Sequence, residues 1–354
     1  MLTCSREYLQ VHNLNRIIVK TLSKGKTFSF GEMLFQEKLK RYDKAMKKKN
    51  QGRLICAFLA IIMVLGMLPL SAIKANAVTV YEASGTVYAG QIPVGSEIVL
   101  TDDTTLIMNV ERWFRTISGP ENDLYGYDLT VKGPESLTIG QEDSAYGYIL
   151  TDDFVCSTGL TVFSGNDYFA VGAAGSVNID TGDDSLYIDC YCGIFATGGD
   201  VWVRGYSVYI DTVYGSPIAS DIGSVYVNTE SEAYFLCNKE ENNYGDGPTV
   251  AQIGCAVYAD DDAVLNCGLL RIKGTYGVYS KNGNAEVTSE NVLIYAEKCG
   301  LYAINGNAEF DVFGTSYTNL EIDSNGTGIE ADWVYIDTVF AAVSAVEYGI
   351  RSNN

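Results

Sequence analysis

After Val78 the chain runs as short segments in which apolar and polar residues alternate. In Val292-Leu-Ile-Tyr-Ala-Glu297, Val292, Ile294 and Ala296 share one face, and Leu293, Tyr295 and Glu297 the other. A period of two marks a strand with one buried face, and the charged member shows which face meets water. The same logic turns Val208 and Ile210 inward, with Tyr209 and Asp211 outward. It turns Val334 and Ile336 inward against Tyr335 and Asp337, and Leu320 and Ile322 inward against Glu321 and Asp323. No helical period of comparable strength competes in this part of the chain.

The segments also repeat. Asn282–Glu286 and Asn305–Glu309 both read Asn-Gly-Asn-Ala-Glu, and Val208–Val213 and Val334–Val339 share six residues. A pattern of Gly, aliphatic, aromatic, small recurs as Gly193-Ile-Phe-Ala196, Gly277-Val-Tyr-Ser280 and Gly300-Leu-Tyr-Ala303, with Ala256-Val-Tyr-Ala259 a variant. The small residues Ala196, Ala259, Ser280 and Ala303 form a column, which Ala170 and Ala219 extend upstream. In the repeat at 277 three strands are expected: Gly277–Ser280, Ala285–Ser289 and Asn291–Glu297. A hairpin sheet does not return equivalent residues every 21–23 positions with three strands between. A three-stranded coil that stacks on itself does, with Asn-Gly turns at its corners. The expected fold is therefore all-β: a parallel β-helix (solenoid) of about eight to ten coils, three short strands each. Residues 78–145 read as an N-terminal cap with the first coils, and 146–354 as the repeat solenoid with a loop insertion near 237–253. Glu347-Tyr-Gly-Ile-Arg351 begins what reads as a further repeat.

The segment before Val78 has a different character. Residues 1–77 hold 14 Lys/Arg and 4 Asp/Glu, whereas residues 78–354 hold 10 and 40. Lys47, Lys48, Lys49 and Arg53 precede an apolar run from Leu54 through Leu70, followed by Ala75-Asn76-Ala77. That order is a secretory signal over 46–77, with cleavage before Val78, and it implies a secreted or cell-surface protein. Residues 1–45 read as an upstream extension outside the fold. The acidic body argues against nucleic acid, whose phosphates need a basic surface, and no membrane contact is expected once the signal is removed.

These repeats, behind a lysine-rich signal, resemble secreted β-solenoid proteins of Gram-positive gut bacteria. Leu100-Thr-Asp-Asp-Thr-Thr-Leu106 and Leu129-Thr-Val-Lys-Gly133 look like leading coils of that group. The resemblance implies a right-handed β-helix similar to the pectate-lyase-like superfamily and an adhesin-like or carbohydrate-binding role. It carries over no functional residue.

The only histidine, His12, precedes Val78, so triads and zinc sites that use His are unavailable to the body. Paired acids stand at Asp102-Asp103, Asp152-Asp153, Asp183-Asp184 and Asp260-Asp261-Asp262, and Arg271-Ile272-Lys273 follows the last. Polygalacturonases carry Asp-Asp and Arg-Ile-Lys motifs on such a fold, but their Gly-His-Gly is absent here. No catalytic, cofactor or metal residue is assigned. Calcium is the one ion these acids would suit, yet no known loop pattern frames it. Asp189, Asp211, Glu297, Asp323 and Asp337 are expected to stack as an acidic outer column, with Lys273 in the equivalent place. The seven cysteines after Val78 are an odd set, expected as buried thiols without disulfides.

Phe195, Tyr258, Tyr279 and Tyr302 occupy one place in their repeats. With their neighbours turned inward, these rings point out and form the candidate ligand-binding surface. The expected function is a non-catalytic binding or structural module whose partner is an extracellular glycan or surface protein. A polysaccharide hydrolase or lyase using paired carboxylates is the alternative.

Overall fold

The computed structural model describes residues 78–120, 126–141, 147–164, 169–238, 254–314 and 320–353. The expected signal peptide at 46–77, the upstream extension at 1–45 and most of the insertion near 237–253 lie outside the described residues.

From Val80 onward the chain winds as a parallel β-solenoid, with the number of turns inside the expected eight to ten. Each turn contributes one strand to each of three sides. On side 1, Ile98, Ile117, Ile149, Val171, Ile194, Ile218, Val257, Val278, Leu301 and Ile329 stand in register on successive rungs. Side 2 stacks Leu106, Val131, Cys156, Ile179, Val203, Val227, Leu265 and Val287. Side 3 stacks Ile139, Val162, Ile188, Ile210, Phe235, Ile272, Ile294 and Ile322. All are buried, and together they line one continuous core. Each such side chain contributes roughly 1.5–3 kcal/mol on leaving water. Because the rungs repeat, so does the term, and that holds the stack together.

The solenoid starts at once: Val80–Tyr88 already pairs in parallel with Glu97–Ile107. Beyond Cys237, Cys255–Ala259 stacks directly under the preceding coil, Ser220 against Ala259, so the extra residues between them leave the ladder unbroken. Tyr348–Ser352 adds the next rung on side 1.

Two features of the register differ from expectation. The small inward column runs Thr151, Ala173, Ala196, Ser220, Ala259, Ser280, Ala303 and Ala331. Ala170 and Ala219 are not in it; Ala219 aligns with Phe195 and Tyr258. Corner lengths vary from turn to turn, and a slip of one residue reverses the face. The second concerns the matching hexapeptides. Val208–Val213 lies on side 3, paired with Leu186 and Ala233, while Val334–Val339 lies on side 2, where Val334 pairs with Ala308. Their resemblance reflects a shared inside-outside pattern, not equivalent places in the coil.

The glycine that opens each repeat has a steric reason. Gly193, Gly277 and Gly300 share one position on side 1. A Cβ on Gly193 would lie 1.9 Å from the Pro217 carbonyl oxygen, and one on Gly277 would lie 2.2 Å from that of Gly300.

Among the described residues all seven cysteines are thiols, and of these only Cys192 is partly exposed. Cys255 and Cys299 are separated by the rung of Tyr276, as their spacing implies. Burial pushes the Cys156, Cys267 and Cys299 thiols up to about 12, and Cys190 and Cys255 also upward. Thiolate is the reactive form. Native protein should therefore react slowly with Ellman's reagent, Cys192 first among the seven, and in denaturant all seven after Val78 should titrate, or nine where Cys4 and Cys56 are retained. A shortfall in denaturant would reveal a disulfide.

Candidate functional site

Register places Tyr258, Tyr279 and Tyr302 side by side on successive rungs, with Phe195 in the same column two rungs before Tyr258. The flanking Val257, Val278, Leu301, Ala259 and Ala303 are buried in the main core and Ser280 is buried beside them, while the rings are outside it. The column nevertheless does not present four open faces. Phe195 and Tyr258 are only 4% and 1% exposed, and Tyr279 and Tyr302 are half-buried. The rings pack with a second set of aromatics that enter from the preceding corner. Phe169 stacks on Phe195 at 4.5 Å between centroids, and Tyr276 meets Tyr279 edge-on at 5.5 Å and stacks on Tyr302 at 5.9 Å. Tyr258 and Tyr279 stack at 5.2 Å. Burial raises the Tyr279 phenol to about 12. Most of this column is thus a small outer core, with Tyr302 at its accessible end.

The corner acids have a structural use. Where side 1 turns into side 2, Asp103, Asp128 and Asp153 stack on successive turns. The Asp128 N–H donates to Asp103 Oδ1 at 3.1 Å, and the Asp153 N–H to Asp128 Oδ1 at 3.1 Å. Asp200, Asp262 and Asn284 continue the pattern, accepting from Ser224, Asn284 and Asn307 at 2.8, 2.7 and 3.0 Å. Side chains here supply acceptors where the strand ladder is interrupted. This accounts for one acid of three clusters: Asp103, Asp153 and Asp262. Asp260 pairs with Lys281, and Arg271 with Glu232 at 3.1 Å, while Ile272 is core. Among the described residues no group of three His, Cys, Asp or Glu could hold a metal ion.

The Asp128 carboxyl lies above its ordinary value through burial first, then through Asp103 and Asp153, against the opposing backbone hydrogen bond. A raised carboxyl binds its proton more tightly in the fold than in the unfolded chain. Its contribution to stability therefore falls as pH rises through the range just above 3.8. Asp128→Asn keeps the acceptor oxygen and removes the charge, as Asn284 does naturally. It should raise the melting temperature slightly at pH 7 relative to wild type and leave it level at pH 3. A lower melting temperature at both pH values would contradict this.

The expected acidic column breaks up. Asp189 and Asp211 do stack, but Leu236, Lys273 and Tyr295 follow before Asp323. Asp337 pairs with Asp311 on side 2, and Glu297 lies two positions beyond Tyr295. Of the expected column, only Asp189 and Asp211 face each other on neighbouring rungs, while Asp337 faces a different acid, Asp311. Burial and then Asp189 raise the Asp211 carboxyl, opposed by Asn238, whose Nδ2 donates to it at 2.7 Å, and by Lys273.

Three outward features escaped the sequence reading. On side 2, Trp202 is 48% exposed and stacks on Tyr226 at 3.8 Å and 19°. Asn178 precedes Trp202 on the ladder, and Arg204 pairs with Asp180 at 3.7 Å. The alternation in Val201-Trp-Val-Arg-Gly205 and Val225-Tyr-Val-Asn228 would have turned both rings outward. On side 3 a groove of about 280 Å³ is lined by Lys273, Tyr295, Glu297, Asp323, Asn325 and Asn238. A larger groove opens near Trp113 on the first coils of the same side.

Fold and surface together define a parallel β-solenoid with aromatic and acidic outer faces. No protein-family model, curated protein or solved structure matches the chain.

Proposed function

We propose that the chain is a secreted or cell-surface solenoid that contacts extracellular glycans, or the surfaces that carry them, without catalysing a reaction. The observation that carries this reading is the stacked Trp202–Tyr226 pair on an open strand face, beside the amides of Asn178 and Asn228. Aromatic bodies with polar neighbours suit ligands that are part apolar and part hydroxylated. The export pattern before Val78 and the net acidity after it support the same reading, since they favour an extracellular setting and disfavour polyanions.

One observation favours a second reading, a polysaccharide-active enzyme. Glu297 and Asp323 line the 280 Å³ groove with Lys273 and Tyr295. They lie on neighbouring rungs, two residues apart along the strand, because Tyr295 pairs with Asp323. Strand rise and rung spacing put their Cα atoms about 8 Å apart, from which two carboxyl groups reach glycosidase spacing.

A glycan array and a reducing-sugar assay on the full chain separate the two. Retention on the array with no sugar release supports the binding module. Release that disappears in Glu297→Gln and Asp323→Asn overturns it in favour of the enzyme.

A further inference from the structure

The groove on the first coils of side 3 has a volume of about 640 Å³, within the range of small-ligand sites, roughly 300–1,000 Å³. Its form follows from side-chain size on successive rungs. Trp113, Thr138 and Thr161 share one outward column, and Phe163 stands one rung beyond Gly140 in the next. Thr138 and Gly140 are short, so they make a floor, while Trp113 and Phe163 make the walls. The walls are two rungs apart and two residues apart along the strand, roughly 12 Å at the backbone.

Both walls and the floor are fixed by the fold. Gly95, at φ +74°, lies under the Trp113 ring, where a Cβ would come within 2.6 Å of it. Its N–H donates to the Trp113 carbonyl at 3.0 Å. Arg112 Nη1 donates to the Ile92 carbonyl at 3.0 Å, which ties the rim to the preceding turn. Gly140, also at φ +74°, admits the Phe163 carbonyl, which would be 2.1 Å from a Cβ. The Phe163 ring is braced by Tyr187 at 5.8 Å. A site built beforehand spares a ligand most of the ordering cost of binding.

Charge narrows the ligand. Glu111 and Arg112 stand together at the rim, so the groove is near neutral on a strongly acidic body. An anion would be repelled by that body, and no unbalanced carboxylate draws a cation into the groove. A flat, uncharged ring with apolar faces and a hydroxylated edge meets both walls and can bond to Thr138 at the same time.

We propose that this groove seats one uncharged sugar ring of an extracellular glycan between Trp113 and Phe163. The proposal rests on the glycan-contact reading above and assigns it a site.

The test is an array of neutral and acidic oligosaccharides probed with the full chain and three variants. Trp113→Ala removes a wall. Thr138→Tyr fills the floor from an outward position, so its melting temperature should match wild type even if Trp113→Ala folds poorly. Trp333→Ala removes an exposed ring on side 2 that belongs to neither the groove nor the Trp202–Tyr226 pair. Wild type and Trp333→Ala should retain a neutral glycan, and Thr138→Tyr should bind it about tenfold more weakly or worse, as should folded Trp113→Ala. Undiminished binding by Thr138→Tyr overturns the groove but leaves the glycan reading standing, as does an equal loss in Trp333→Ala. Retention of acidic glycans only overturns the choice of an uncharged ring. Absence of any retained glycan in wild type overturns the glycan reading itself, and the groove proposal with it.

Discussion

Replacing Tyr258 with alanine is expected to destabilise the solenoid by about 3–5 kcal/mol, the cost of deleting a buried large aromatic. Tyr258 ranks among the largest fully buried side chains of the described residues. It packs against Phe195, Ala219 and Cys255 outside the main core, and Tyr279 stacks on it at 5.2 Å. Removing the ring opens a hole that backbone on either side cannot close, because the rungs fix its position. Tyr279→Ala should cost less, about 1–3 kcal/mol, since that ring is only half-buried. Urea unfolding of the two variants measures both. If Tyr258→Ala loses no more than Tyr279→Ala, the outer aromatic cluster does not contribute as a core.

Gly277→Val should cost about 3 kcal/mol or more, with no buried side chain removed. Its Cβ would enter at 2.2 Å from the Gly300 carbonyl oxygen and 2.7 Å from Ile294 Cγ2. That oxygen belongs to the next rung and takes part in a ladder of fixed spacing, so relief requires separating two coils. Ala256 occupies the equivalent position one rung earlier, between the paired Cys255–Tyr276 and Val257–Val278. A methyl group is therefore accommodated on that rung, and Ala256→Gly should lose only about 0.5–1 kcal/mol, from backbone freedom. Equal losses in the two variants would show that contact with the next carbonyl is not what selects glycine.

The inward residues were legible in the sequence because burial on one face imposes a period of two wherever the strand lies. Val208, Ile210, Val292, Ile294, Leu320 and Ile322 all face the core as their alternation requires. The same generality hides which side a strand occupies. Val208–Val213 and Val334–Val339 satisfy identical inside-outside demands on sides 3 and 2. Of the candidate surface, the sequence carried the alignment of Tyr258, Tyr279 and Tyr302 but not their accessibility. Accessibility depends on Phe169 and Tyr276, which come from corners whose paths alternation does not describe.

By itself, then, the sequence determined an all-β chain of stacked coils, the inward faces of its strands and the thiol character of its cysteines. Each of these follows from local pattern or repeat spacing. Which residues meet across rungs follows from the folded stack alone. Asp103, Asp128 and Asp153 are 25 residues apart in sequence and one turn apart in space, where each supports the next. Trp113 and Phe163, 50 positions apart, come to face one groove because Thr138 and Gly140 between them are small. Corner lengths set that register, and a single residue more or less would have turned either wall into the core.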